Sequence, residues 1–446
     1  MKRLIKLIGI ITSILLLVPV SGKAGAQVIT SGTQCSRPGP VSDSTCTVMY
    51  RIDNSSSSQI ICVWIKETNG LFECQAKSLW GDGFNGVTSP GVTLEFRRHT
   101  SWPTTDPNWP SNPAAVRASG TLLKSQYVTS RYRTSPTAAC SVTVALGQNI
   151  QTAINSAGSN ATVCLSAGVY GVSSTIRPKT GQTLRSASAT NQAILRATTT
   201  QSVVSIENPN ITLKNLQVEG TAMVKPDFGV VVLGASATNA LVEKVKISYA
   251  GIGFGVSNSA SNVELRSSDI LYAGDGVACT GCADPSIWIN ASSDVRIIKS
   301  TLMNNGASPE GDGELACYNT SGLVVTNTIV QDSGAAGMYL VNCDYAVVSG
   351  NDIYSAGEWG LDIVDTGQPS GSDYGLFSLN HIEASRHGAG VIEDSKYAVF
   401  IQNEYVNNRQ GPNASGSCNG INRRGSTTGY YYLNDYANPW PVVCND

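Results

Sequence analysis

The chain has 446 residues, 14% of them charged, with 30 Lys and Arg against 32 Asp and Glu for a net charge of −2. So sparse and balanced a charge provides no field to hold nucleic acid or an anionic membrane surface, and the expected partner is one recognised locally. With 41% hydrophobic residues at this length, the chain has room for two domains and a sizeable core.

The N-terminus opens with Lys2, Arg3 and Lys6, continues through an apolar run from Ile8 to Val20, and reaches Ala24-Gly25-Ala26. This is the pattern of a secretory signal peptide, so residues 1–26 are set aside from the fold and a secreted or periplasmic, bacterial-style protein is expected. No later run of about 18 apolar residues occurs, so no membrane span is predicted. Twelve cysteines in an exported chain point to disulfides. Their spacing suggests the local pairs Cys35–Cys46, Cys62–Cys74, Cys140–Cys164, Cys279–Cys282, Cys317–Cys343 and Cys418–Cys444. Zinc at Cys279-Thr-Gly-Cys282 lacks a second Cys or His pair at ligand spacing.

Residues 28–135 read as short strands separated by Asn, Gly and Pro turns: Val48–Ile52, Ile60–Ile65, Leu71-Phe72 and Val92–Phe96. This is the pattern of a small, disulfide-bonded β-sandwich. The run from Val63 to Leu122-Leu123 resembles immunoglobulin-like accessory modules of bacterial secreted proteins. Trp64 alternates with apolar neighbours and is expected in the core, whereas Trp102 and Trp109 sit in a Pro-rich loop where they can pack or stack on sugar rings. Thr129 to Cys140 reads as a linker. Ile150, Ala153, Ile154 and Ala157 then fall at i, i+3, i+4 and i+7, an amphipathic helix closed by Gly158 that is expected to cap the apolar end of the second domain.

From there to about residue 410, apolar strands begin at Ile211, Leu241, Val263, Val295, Leu323, Val347, Leu376 and Val399, each followed by a polar, Gly-containing turn. A constant core with insertions of variable length is the mark of a solenoid, and strand-like alternation makes it a β-solenoid. One coil reads Leu323–Ile329, Asp332-Ser333-Gly334, Gly337–Leu340, Asn342-Cys343-Asp344: three strands and three turns, with Met338 and Leu340 inward and Tyr339 outward. Asn258, Asn290, Asn319 and Asn342 recur near turns, where they can bond their own backbone or form a ladder between coils. Over residues 140–410 this pattern resembles the right-handed parallel β-helix of the pectate lyase-like superfamily, which implies an all-β fold and leaves lyase, hydrolase, epimerase and non-catalytic functions open. Residues 411–446 are read as a C-terminal cap or tail.

Equivalent positions on successive coils lie about 5 Å apart, so acids one repeat apart can act together. Asp275 and Asp312 occupy matching Gly-Asp-Gly turns, Glu314 follows on the same strand edge, and Asp362 and Glu393 lie further along. His387 enters one coil after Trp359. Insertions at 279–286, 307–310 and 366–373 flank this column, so a groove for an extended polymer is expected there. The candidate catalytic residues are Asp312, Asp362, Asp275, Glu314, Glu393 and His387, with Trp359, Tyr339 and Arg386 binding substrate. The Asn-Thr-Asp, paired-Asp, Gly-His-Gly and Arg-Ile-Lys set of polygalacturonase-like hydrolases is absent in that order. The Asp-Pro-His motif of mannuronan epimerases is absent too, since Asp284-Pro285 is followed by Ser286. The expectation is a monomer that binds and cleaves a polysaccharide by carboxylate chemistry and needs neither metal nor cofactor. The alternatives are a Ca²⁺-assisted lyase with Arg386, Lys396 or His387 as base, or a non-catalytic surface or matrix protein.

Overall fold

A computed structural model describes residues 27–30, 37–38, 46–53, 60–76, 79–85, 91–129, 139–274, 285–303, 313–364, 372–373, 375–395, 398–408, 420–424, 427, 429–432, 435–436 and 443–445. The signal-peptide segment, Asp275, Asp312, Lys396 and the pairs Cys35–Cys46, Cys279–Cys282 and Cys418–Cys444 involve positions outside those residues.

The chain divides into two compact units, one built on Tyr50–Asp82 and Val92–Tyr127 and the other on Val128–Asp446 together with Thr30–Met49 and Gly83–Gly91. In the first, Ile60–Ile65 pairs antiparallel with Gly70–Ala76 on one side and Gly91–His99 on the other. Trp64 is fully buried there, its indole Nε1 donates to His99 Nε2 at 3.2 Å, and Trp109 packs edge-on against it. Trp102 is exposed. The Cys62–Cys74 disulfide joins the paired strands.

The second unit is a parallel β-helix. The predicted helix forms over Ile150–Ser156, capped by the Asn149 side chain on the Thr152 amide, and its Ile150 and Ile154 join the solenoid's apolar core. Cys140–Cys164 follows at the first full strand, Thr162–Leu165. Each coil then lays down three strands, as in Met338–Asp344, Val347–Ser349 and Asp352–Tyr354, before returning at Trp359–Val364. The strands stack in parallel register to form three sheets, called first, second and third in that order. Parallel pairing continues past residue 410, through Ile421–Arg424, Gly429–Tyr432 and Asp435–Tyr436 to Val443–Asn445.

The interior is a continuous apolar stack. Met338 and Leu340 point into it, as do Ile211, Val263, Val295 and Leu323, and each such side chain contributes about 1.5–3 kcal/mol by leaving water. The Cys317–Cys343 disulfide is buried among them, with its Cα atoms 6.4 Å apart on adjacent strands. Turns are made by residues with positive φ. Asn319 and Asn342 take this conformation at equivalent positions, and Asn342 Nδ2 donates to Asn319 Oδ1 at 3.0 Å, the ladder expected of short polar side chains.

Candidate active site on the first sheet

The first sheet alternates strictly after its strands enter the coil, so every second side chain faces out. One outward column runs Gly255, Trp288, Ala316, Tyr339, Asp362, Val391 and Asn422. The next outward column runs Asn290, Tyr318, Val341, Val364, Glu393 and Arg424. Asp362 thus has Tyr339 on the coil before it and Val391 on the coil after, with Glu393 diagonal to it. Glu358 closes the turn that leads into the same strand, and the His387 amide donates to the Glu358 carbonyl oxygen at 2.8 Å.

This arrangement changes the acidity of the carboxyls. Burial pushes the Asp362 carboxyl up from its ordinary 3.8 to about 7; Glu358 adds to the rise, Arg424 opposes it, and Glu393 adds again. Burial also raises the Glu358 carboxyl, against the lowering effect of His387 and Arg386. A carboxyl poised near neutral pH beside other acidic side chains is the pairing that acid–base chemistry requires.

Of the residues expected from sequence, Asp362, Glu393, His387, Tyr339 and Arg386 come together at this site. Trp359 is there as well, but it is only 8% exposed. Its ring meets His387 edge-on at 5.7 Å and the Arg424 guanidinium at 5.8 Å, so it packs the site instead of offering a face. Glu314 is elsewhere: it is fully buried and accepts a 2.5 Å hydrogen bond from the Ser286 hydroxyl. Its position matches Gly337 and Gly360 on later coils, where an added Cβ would meet the inward-facing Ile353 and Ile382 side chains. Sequence reasoning missed Glu358, which reads as a turn residue, and Arg424, which lies past the expected end of the solenoid. Ile421-Asn-Arg-Arg424 carries the signal for both strand and site once the repeat is followed one coil further.

Among the described residues no helix is long and apolar enough to cross a membrane, and no three His, Cys, Asp or Glu side chains converge on a metal position. The chain is similar to an alginate lyase from a Paenibacillus species at 16% identity and TM-score 0.47, covering 69% of this chain and 99% of that one. It is also similar to an endo-xylogalacturonan hydrolase from Aspergillus tubingensis at 11% identity and TM-score 0.43, covering 67% and 93%. The A-module of a mannuronan C-5 epimerase from Azotobacter vinelandii gives 12% identity and TM-score 0.37, covering 67% and 94%. Likeness at this level carries no functional assignment. No curated protein matches the chain. Residues 214–437, half of the chain, match the family model described as periplasmic copper-binding protein (NosD), and the chain belongs to that family.

Proposed function

We propose that this is a secreted or periplasmic protein that binds a carbohydrate chain along the outer face of the first sheet and hydrolyses it at Asp362. The observation that carries the reading is the Asp362 carboxyl, held near neutrality on an outward position beside Glu358 and Glu393. Protonated Asp362 gives its proton to the glycosidic oxygen as the bond from the anomeric carbon breaks. Water adds to that carbon and passes its proton to Glu358 or Glu393. The separation of acid and base then sets inversion or retention.

Copper, which the family description names, is held in proteins by imidazole, thiolate and thioether groups. Here His99 is bonded to Trp64, both ring nitrogens of His381 face Glu383 and Glu404 at 3.1 and 3.0 Å, and His387 packs against Trp359. The described cysteines are all in disulfides. The described imidazoles and thiols do not form a copper site, and no step is assigned to copper. A lyase reading has Arg386 and His387 on the coil beside Glu358 in its favour, as bases that could take a C5 proton. Its calcium needs converging carboxylates, and none of the described acids form such a set.

The test is the full chain incubated with neutral and acidic polysaccharides, followed by product analysis. Saturated products with kcat falling above about pH 7 are expected, and Asp362→Asn should lower kcat at least about 10²-fold. Full activity in that variant, or unsaturated products absorbing in the ultraviolet, would overturn hydrolysis at Asp362.

A further inference from the structure

The outer face of the first sheet carries an aromatic strip that leads into the acid cluster. Phe228 and Trp288, two coils apart, have ring centroids only 6.2 Å from each other. They meet because the intervening coil carries Gly255, over which the Phe228 ring lies: a Cβ there would come within 2.5 Å of it. Ala316 is the next residue of the column, fully buried between the positions of Trp288 and Tyr339. Tyr318, in the adjoining column, meets Tyr339 edge-on at 5.9 Å. Tyr339 in turn is the direct neighbour of Asp362. Small residues thus alternate with rings along the column, and the rings meet in two pairs, Phe228 with Trp288 and Tyr318 with Tyr339.

That path is uncharged. The outward positions beside it include Ser257 and Asn290, and no Lys or Arg stands in either column before Arg424. Of the basic residues of the same coils, Lys244, Lys246 and Lys299 stand exposed on or just after strands of the second and third sheets. Arg266 and Arg296 belong to the second sheet, ion-paired with Glu243 and Glu264, and Lys225 Nζ donates to the Gly274 carbonyl at 3.0 Å. A polymer of uronic acids would bring one carboxylate per sugar onto this strip and meet no Lys or Arg in either column before Arg424, at a cost in desolvation and like-charge repulsion. A neutral sugar ring presents apolar C–H faces that stack on aromatic rings at no such cost.

We infer that the strip from Phe228 to Tyr339 is a row of subsites for an uncharged glycan lying along the solenoid axis, with its reacting bond at Asp362. This rests on the hydrolase reading for the position of the reacting bond only; the row of subsites is independent of it. The selectivity is the reverse of what a uronate-specific groove of the same fold would show.

Binding by the catalytically disabled full chain, Asp362→Asn, separates the two claims. Calorimetric titration with neutral oligosaccharides of increasing length and with oligomers of galacturonate and mannuronate gives affinity as a function of charge and length. Neutral chains should bind more tightly as they lengthen, with little dependence on salt, and uronate chains at least tenfold more weakly. Adding Trp288→Ala should cost about tenfold for long chains and leave the shortest unchanged, while Trp288→Phe restores most of the loss and controls for folding. Preferred binding of uronates, or an affinity and length dependence unmoved by Trp288→Ala, would overturn the inference while leaving hydrolysis at Asp362 intact. Binding that follows the strip without cleavage by the unmodified chain would sink the hydrolase reading and keep the strip. Failure of every oligosaccharide to bind would remove both.

Discussion

Asp362 is a residue whose environment works against its charge. An acid with a raised pKa binds its proton more tightly in the folded state than in the unfolded chain, so folding stability falls as pH climbs from its ordinary 3.8 to about 7 and stays reduced above. Replacing it by Asn removes the charge and keeps the shape. Asp362→Asn is therefore expected to melt at a higher temperature than the unmodified chain at pH 8 and to show little difference at pH 4, while losing activity. Thermal melts at the two pH values check this, and a variant less stable at pH 8 would mean that the carboxylate is bonded into the turn as a structural group. Asp362 was legible in the sequence because the repeat fixes which residues face out. Glu314 was misleading for a local reason: it sits at the bend where the chain enters the first sheet, and there two successive residues, Glu314 and Leu315, are both buried. Strand alternation does not hold across that bend.

At the scale of strands and turns, the period was readable and the phase was not everywhere. Of the eight residues at which the apolar strands begin, Ile211, Val263 and Leu323 point into the core as their alternation predicts, and Val295 does too, whereas Val399, expected inward, belongs with Leu241, Val347 and Leu376 to the outward column of the second sheet. The inward residues beside them are Ala240, Ala346 and Ala398 on one side and Val242, Val348, Phe377 and Phe400 on the other. In Leu241-Val-Glu, Val347-Val-Ser and Ala398-Val-Phe-Ile, consecutive residues are apolar and the outward ones are buried as well, so alternation gives no phase. A second ladder also escaped the sequence: Asn351, Asn380 and Asn403 are 0–1% exposed, Asn351 donates its Nδ2 to Asn380 Oδ1 and Asn380 its Nδ2 to Asn403 Oδ1, each at 2.9 Å, and Asn403 donates to the Phe377 carbonyl at 3.0 Å. Asn380 also donates to the Val348 carbonyl and accepts from the Asn351 amide. Asn380→Ala strands several buried partners at once and should lower unfolding free energy by about 3 kcal/mol in denaturant titration. A loss under about 1 kcal/mol would show that water replaces the amide.

Across the whole solenoid, each coil touches mainly its neighbours, so stability depends on how well adjacent coils are coupled. The second sheet couples four of them with a chain of charges. Lys214 Nζ meets Glu243 Oε2 at 3.0 Å, Glu243 Oε1 meets Arg266 at 2.9 Å, Arg266 meets Glu264 Oε1 at 3.0 Å, and Glu264 Oε2 meets Arg296 at 3.3 Å. Glu264 and Arg296 are 0% and 1% exposed, so their attraction offsets a large desolvation cost, and removing one partner leaves the other charge buried. Glu264→Gln is expected to cost about 3–5 kcal/mol, since it leaves both Arg266 and Arg296 short of a counter-charge. Because the loss falls at one junction, the chain on either side should no longer unfold with it. Calorimetry is expected to resolve two transitions in place of one, and hydrogen exchange should show the strands around 241–298 opening at lower free energy than Leu323 onward. Adding Arg296→Met to Glu264→Gln should recover part of the loss, because an apolar side chain of similar length needs no partner. A single transition shifted by under about 1 kcal/mol in Glu264→Gln would mean that the apolar stack inside the coils, rather than this ladder on their outer face, sets the cooperativity of the solenoid.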